Sequence, residues 1–264
     1  MNIFMRELRA NLKSLVIWSG IVTLLIMIAV VKFSAFAGDP SMLAMLDAMP
    51  PAMLDALNMR AFNLTTLSGF YGIMSVYFGL MGAIAAAMWG SDILSKEERD
   101  KTVEFSLVLP VSRSRVITAK ALAALVNCLA FVLITWAVSL AAVQSYAPDR
   151  AFYEFLALEM QAMLAIELIF LAIGLLLGAA MKQYKLSSSA AVAIILTTYF
   201  MSIVASMQAD LEFLKYFTPF KYFDAGELFR SGQVSTLSLV LTAAIILVCL
   251  GAAYWTYNKR DLYI

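Results

Sequence analysis

The sequence predicts an all-α membrane protein. It has six transmembrane helices, an amphipathic interfacial helix at the N-terminus, a short helix between spans two and three, and short re-entrant helices between spans five and six. Three observations predict this. First, 62% of the 264 residues are hydrophobic and only 14% are charged, against about half and about a quarter in a soluble domain. Second, mean hydropathy is +0.85. Third, the apolar residues gather in charge-poor runs long enough to cross a bilayer, which takes about 20 helical residues. No repeat of about 20–50 residues is visible, so residues 1–264 read as a single transmembrane domain.

The elements follow in order. In residues 1–14, Ile3, Phe4, Leu8 and Leu12 recur at helical spacing, and Arg6, Arg9 and Lys13 supply a polar side. That is the pattern of a helix lying in the interface, or else of a plain extension of the first span. Residues 15–36 form span one, with Lys32 near its end. This run is long enough to span and lacks a small-residue cleavage pattern, unlike a cleaved signal peptide. The loop 37–63 is Met-rich and divided by Pro50-Pro51. Met42, Leu43, Met45, Leu46 and Met49 suit one short interfacial helix, and Met53, Leu54 and Leu57 a second. Such a segment gives either an adaptable apolar contact surface or a lid on the bundle.

Span two is expected over 64–90, span three over 117–146, span four over 156–181, span five over 186–207 and span six over 237–257. Between spans five and six, Phe213, Leu214, Tyr216, Phe217, Phe220, Tyr222, Phe223, Leu228 and Phe229 make the segment too apolar for a free loop. Pro219 and Gly226 divide it into two short helices dipping into the bilayer, where non-helical backbone must be covered by protein or water. The alternative is an aromatic belt at the interface.

Six spans put both termini on one side. That side carries 13 of the 19 Lys and Arg residues: Arg6, Arg9, Lys13, six within 96–120, Lys182, Lys185, Lys259 and Arg260. The positive-inside rule makes it cytoplasmic. The expected location is therefore the plasma membrane, of the bacterial inner-membrane kind, with both termini inside. Net charge is +1, which gives no reason to expect a nucleic-acid partner. Histidine is absent, and Cys128 and Cys249 sit in apolar runs as small packing residues. These facts exclude a Cys/His zinc site and a histidine-based triad, and no metal site is expected.

Inside the spans, Glu167 stands out. It lies near the middle of span four, where an ionisable side chain is costly and marks a functional site by default. It suits a cation or proton site, a contact for a cationic cargo, or a hydrogen-bonded structural glutamate. Glu159 and Gln161 lie nearer the interface and are weaker candidates. Span five carries Thr197, Thr198, Tyr199, Ser202 and Ser206; hydroxyls can line a pathway or bond back to helix carbonyls. Ser75, Gly79, Ala83 and Ala87 recur every four residues in span two, and Gly174 and Gly178 do so in span four. That spacing predicts close helix packing.

The most informative stretch is the loop 91–120. Glu97, Glu98, Arg99, Asp100 and Lys101 form a dense charged run. Thr102 with Glu104 suits the first turn of a short helix, and Pro110 ends it. Ser112 caps the next helix, which carries Arg113, Arg115 and Lys120 into span three. The spacing of Glu97, Thr102, Glu104, Pro110, Val111, Ser112, Arg113 and Lys120 resembles the signature loop of ABC-2 permeases, the membrane subunits of type-2 ABC exporters. Lys101 departs from the glycine common before that threonine. The N-terminal helix, the six spans, the broken segment between spans five and six and the ending Tyr257-Asn258-Lys259-Arg260-Asp261 resemble the same family.

The resemblance implies that Glu97, Glu98, Thr102, Glu104, Pro110, Ser112 and Arg113 form the loop that docks on a nucleotide-binding subunit. It also implies a route beside spans one, two and five, with Tyr199 and Thr198 as pathway candidates alongside Glu167. The chain has no G-x-x-x-x-G-K-[ST] phosphate loop, so it is expected not to be an enzyme and to bind no cofactor. ATP and magnesium are expected in a separate ATPase subunit. The other implied partners are a second permease copy or a related permease, and membrane lipid. The implied function is export of an amphipathic or hydrophobic cargo, such as an antimicrobial peptide, a drug or a lipid-like molecule. Two alternatives stay open: extrusion of a sodium-type cation by the same class of transporter, and an ATP-independent secondary transporter. The latter would ideally show inverted repeats, which the sequence does not display.

Overall fold

The computed structural model describes residues 2–39, 41, 44, 48–50, 53–54, 59, 62–99, 111–181, 183–207 and 209–259. Among them, regular structure is entirely helical. Six helices are long and apolar enough to cross a membrane: α1 (Ile3–Phe36), α2 (Leu67–Arg99), α3 (Arg113–Val143), α4 (Arg150–Ala180), α5 (Tyr184–Met207) and, later in the chain, α8 (Thr236–Lys259). Between α5 and α8 lie a 3-10 segment (Ala209–Phe217), α6 (Pro219–Tyr222) and α7 (Ala225–Ser231). The chain is thus a multi-pass bundle with both termini at one end.

Local chemistry sets the helix starts. Asn2, Ser112, Asp149 and Asp224 each cap a helix by accepting a backbone N–H, from Phe4, Arg115, Phe152 and Glu227. Short polar side chains at this position satisfy donors that the helix itself leaves orphaned. Gly232, at φ 66°, ends α7, and its N–H reaches the Leu228 carbonyl at 2.9 Å. Pro219 opens α6, where its missing N–H costs nothing.

The helices run past several of the expected span limits: α2 continues to Arg99, and α3 and α4 begin at Arg113 and Arg150. Residues 3–14, expected as a separate interfacial helix, are continuous with the first span. No proline interrupts the run, and the only glycine, Gly20, sits in mid-helix. At 1.5 Å per residue, 34 residues extend about 50 Å, and about 30 Å covers the hydrocarbon. The surplus matches the amphipathic stretch in length. The helix that carries the fourth span begins at Arg150, ahead of the apolar run from 156, because Asp149 caps it and Phe152 and Phe155 are buried in its first turns. Of the Met-rich segment, Met42, Leu43, Met45, Leu46 and Leu57 lie outside the described residues.

α2 and α4 form the centre. In each, 67% of the most apolar stretch is buried, against 22% for α1 and 17% for α5 and α8. The two backbones approach closely through small residues. A Cβ on Gly90 would sit 2.5 Å from the Leu171 carbonyl oxygen, and one on Gly178 would sit 2.6 Å from that of Ser91. One on Gly174 would strike the Ala87 carbonyl. Ala83, Ala86 and Ala87 are fully buried along the same seam. In a membrane, where no hydrophobic effect drives helices together, such contact is the main source of association. Gly79 departs from the predicted stripe, since nothing lies within 4 Å of its added Cβ. It faces a cavity instead.

The seam makes a stability prediction. Gly174→Ala drives a methyl group into the Ala87 carbonyl and should destabilise the chain by about 1–3 kcal/mol. Gly251→Ala, in open space on α8, should be neutral or slightly stabilising. Thermal unfolding of the two purified variants in detergent checks this through the order of their melting temperatures.

Candidate functional site

At the end that holds the termini, three helices meet around buried charge. Glu7 of α1 and Lys120 of α3 are each 0% exposed, and Glu97 of α2 is buried as well. Lys96 pairs with Glu7. Arg6 reaches Glu7 at 3.1 Å and Glu97 at 2.7 Å. Lys120 reaches the other oxygen of Glu97 at 3.0 Å. Glu97 stands three residues before the segment 100–110 and Lys120 about two turns into α3, ten residues after it, so the helices that flank the loop are tied to each other and to α1.

Desolvating charges costs several kcal/mol per ion and is offset only when the geometry is complete. The pairing therefore fixes how these three helix ends sit relative to one another. A second set of contacts joins α3 to the end of α8. Arg113 donates to the Asn258 carbonyl at 3.3 Å, Asn258 Nδ2 donates to the Ser114 hydroxyl at 3.1 Å, and Thr118 and Tyr254 share a hydroxyl hydrogen bond of 2.7 Å.

The expected docking residues are placed as follows. Glu97 lies inside the ionic cluster. Ser112 is the cap of α3 and Arg113 its first residue. Glu98 falls in the last turn of α2, but its side chain lies outside the described residues, as do Thr102, Glu104 and Pro110. Sequence reasoning missed Glu7, Arg6, Lys96 and Lys120 as a unit. One signal was available: Glu7 is the sole acid among the basic residues of 1–14.

Within the bundle, Glu167 is fully buried on α4. Gly82 of α2 makes its space, since a Cβ there would lie 2.6 Å from Oε1. The Cys128 thiol of α3 is close enough to interact with it. Neither carboxylate oxygen has a conventional hydrogen-bond partner among the described residues.

Glu159, two turns away on α4, is also buried, at 6% exposed. It lines a cavity of ≈120 Å³ between α2, α4, α5 and the short helices α6 and α7. Tyr199 lines that cavity. Thr198 does not; its hydroxyl bonds back to the Ile194 and Ile195 carbonyls, at 2.9 Å each. Among the described residues, no group of three Cys, Asp or Glu is placed to hold a metal ion.

Comparison with known proteins adds one positive finding. The family model described as ABC-2 family transporter protein matches residues 1–262. No curated protein matches the chain.

The ionic cluster makes the second prediction. Lys120→Met leaves Glu97 short of a buried partner, and removing one member of such a pair typically costs about 3–5 kcal/mol. Glu97→Gln should be destabilising in the same way. The double variant should lose less than the sum of the two, because each change removes the charge the other leaves stranded. A double-mutant cycle on thermal unfolding in detergent checks this; additive losses would mean that the two side chains do not interact.

Proposed function

Since the chain belongs to the ABC-2 family of transporter proteins and so is the membrane permease component of an ABC transporter, we propose that it exports an amphipathic or hydrophobic cargo, driven by a separate ATPase subunit. Permease components of this family generally pair with an ABC ATPase subunit. In this reading the end with the termini is cytoplasmic, as the Lys/Arg distribution favours, and the segment 91–120 receives the ATPase.

The observation that carries the proposal is the ionic cluster. It ties the end of α2 and the first turns of α3, the two helices that flank the loop, to each other and to α1 through Arg6, Glu7, Lys96, Glu97 and Lys120. A push on the loop would therefore move three helix ends together, which is what coupling to a nucleotide-driven stroke requires. The contacts of Arg113 and Ser114 with Asn258 would carry the same displacement to the end of α8.

One observation favours a second reading of the cargo. Glu167 is a fully buried carboxylate lacking conventional hydrogen bonds among the described residues, which suits cation extrusion through the bundle. The sparse charge elsewhere in the spans, and a cavity lined largely by apolar and aromatic side chains, weigh toward the amphipathic cargo.

A pull-down in detergent from the native host tests the coupling. An ATPase subunit should co-purify with the wild-type chain, and Glu104→Arg and Arg113→Glu should each reduce its recovery at least about tenfold, the effect of losing about 1.4 kcal/mol. A chain that comes out alone, with both variants behaving like wild type, would point to a transporter that needs no ATPase.

A further inference from the structure

We propose that the cavity beside Glu159 is a binding site for the head of a lipophilic organic monocation, with an ammonium-type charge and an apolar body. This rests on the permease reading and names the class of cargo.

The charges facing the cavity come from three residues: Glu159, Lys221 and Asp224. Lys221 and Asp224 pair with each other at 2.7 Å and cancel. Glu159 is left over. It is 6% exposed, and its Oε1 is buried with no hydrogen-bond partner among the described residues. A buried polar atom without a partner is costly, and a ligand that supplies one recovers that cost.

The other polar groups point to a ligand of the same sign. Ser75 donates its hydroxyl proton to the Gly72 carbonyl, Ser202 to that of Tyr199, and Ser206 to that of Ser202. All three line the cavity. Ser202 and Ser206, with their protons committed to helix carbonyls, offer only acceptor lone pairs to a ligand, while the Ser75 hydroxyl also stands within reach of the Glu159 carboxylate, whose Oε1 it leaves without a partner. Tyr77, Phe78, Tyr199, Phe220 and Phe223 supply the remaining character, and aromatic faces attract cations, quaternary ammonium ions included.

A small inorganic ion fits less well. It demands about six or more oxygen ligands at short range, and this lining is mostly apolar. A volume of ≈120 Å³ holds several waters or one small organic head.

The test uses the full chain in nanodiscs of neutral phosphatidylcholine. Isothermal titration calorimetry measures binding of benzyltrimethylammonium, with benzenesulfonate as the anion of similar shape. Wild type should bind the cation and not the anion. Glu159→Gln, nearly isosteric, should weaken cation binding at least about tenfold. Ser206→Phe should abolish it by filling the cavity from α5 while leaving the acid in place. It decides the matter should Glu159→Gln fail to fold. Glu154→Gln, on the exposed start of the same helix, should bind like wild type.

Equal binding of both probes, or unchanged cation binding in Glu159→Gln or Ser206→Phe, overturns the proposal. So does sodium binding that depends on Glu159 with no binding of the organic cation. The outcome is independent of the pull-down: a chain that binds the probe through Glu159 but recovers no ATPase keeps the site and loses the exporter. A chain that recovers the ATPase but binds without regard to Glu159 does the reverse.

Discussion

The close approach of α2 and α4 is the constraint on which the rest depends. Their backbones touch at Ala87 and Gly174, at Gly90 and Leu171, and at Ser91 and Gly178. Side chains are excluded from that seam, so its geometry is set by backbone and hardly adjustable. The remaining helices arrange themselves around this pair. α1 and α3 pack against each other and on α2, and α8 lies on α4. The three helices with the least buried stretches, α1, α5 and α8, leave large apolar residues exposed, among them Val16, Phe200, Leu247 and Val248. In a bilayer these faces meet lipid or another subunit at no cost, which is why a bundle this loosely covered is stable there.

The seam also decides where charge can sit. At the end with the termini the long charged side chains lie on the other side of α2, paired across α1, α2 and α3. Higher up, the approach is too tight for a lysine or arginine to reach in. Gly82 leaves just enough room for the Glu167 carboxylate, and nothing positive faces it among the described hydrogen bonds and ion pairs. Beyond that point α5 and the short helices hold open a cavity, and Gly79, without a side chain, widens it on the α2 side. The same small-residue stripe thus packs the C-terminal third of α2 and opens its middle.

Much of this was legible in the sequence, for physical reasons. Spans are visible because burying charge in hydrocarbon is costly, so the gaps between charged residues mark them. The cap at Ser112 was readable because it is local chemistry. The stripe of Ala83, Ala87, Gly174 and Gly178 was readable from its spacing. Partners were not readable. Nothing in the spacing of Glu7, Lys96, Glu97 and Lys120 shows that they meet, since they come from three helices and their contact follows from how those helices cross. Lys120 counts in the sequence as one more topology-setting cation, yet it is buried. Glu159 ranked below Glu167 because depth along a helix was the only measure at hand. Whether a carboxylate faces a cavity or a neighbouring helix depends on rotation about the axis and on α5 to α7.

These two acids show why depth alone is a poor guide. They are eight residues apart on α4, about 12 Å along its axis, and both are buried. Glu167 is fully buried, held against α2 where Gly82 makes its space and beside the Cys128 thiol. Glu159 is nearly as buried, at 6% exposed, and opens onto space lined by acceptors and aromatic rings. A buried charge can be retained for structure, as in the ionic cluster, where every member has an opposite number. An acid without an opposite number contributes nothing to stability in its ionised form and costs desolvation. Packing would favour an apolar residue at either position. That Glu159 stands beside an open cavity, in a helix whose other buried positions are nearly all apolar, is the kind of local cost that binding a ligand of opposite charge offsets.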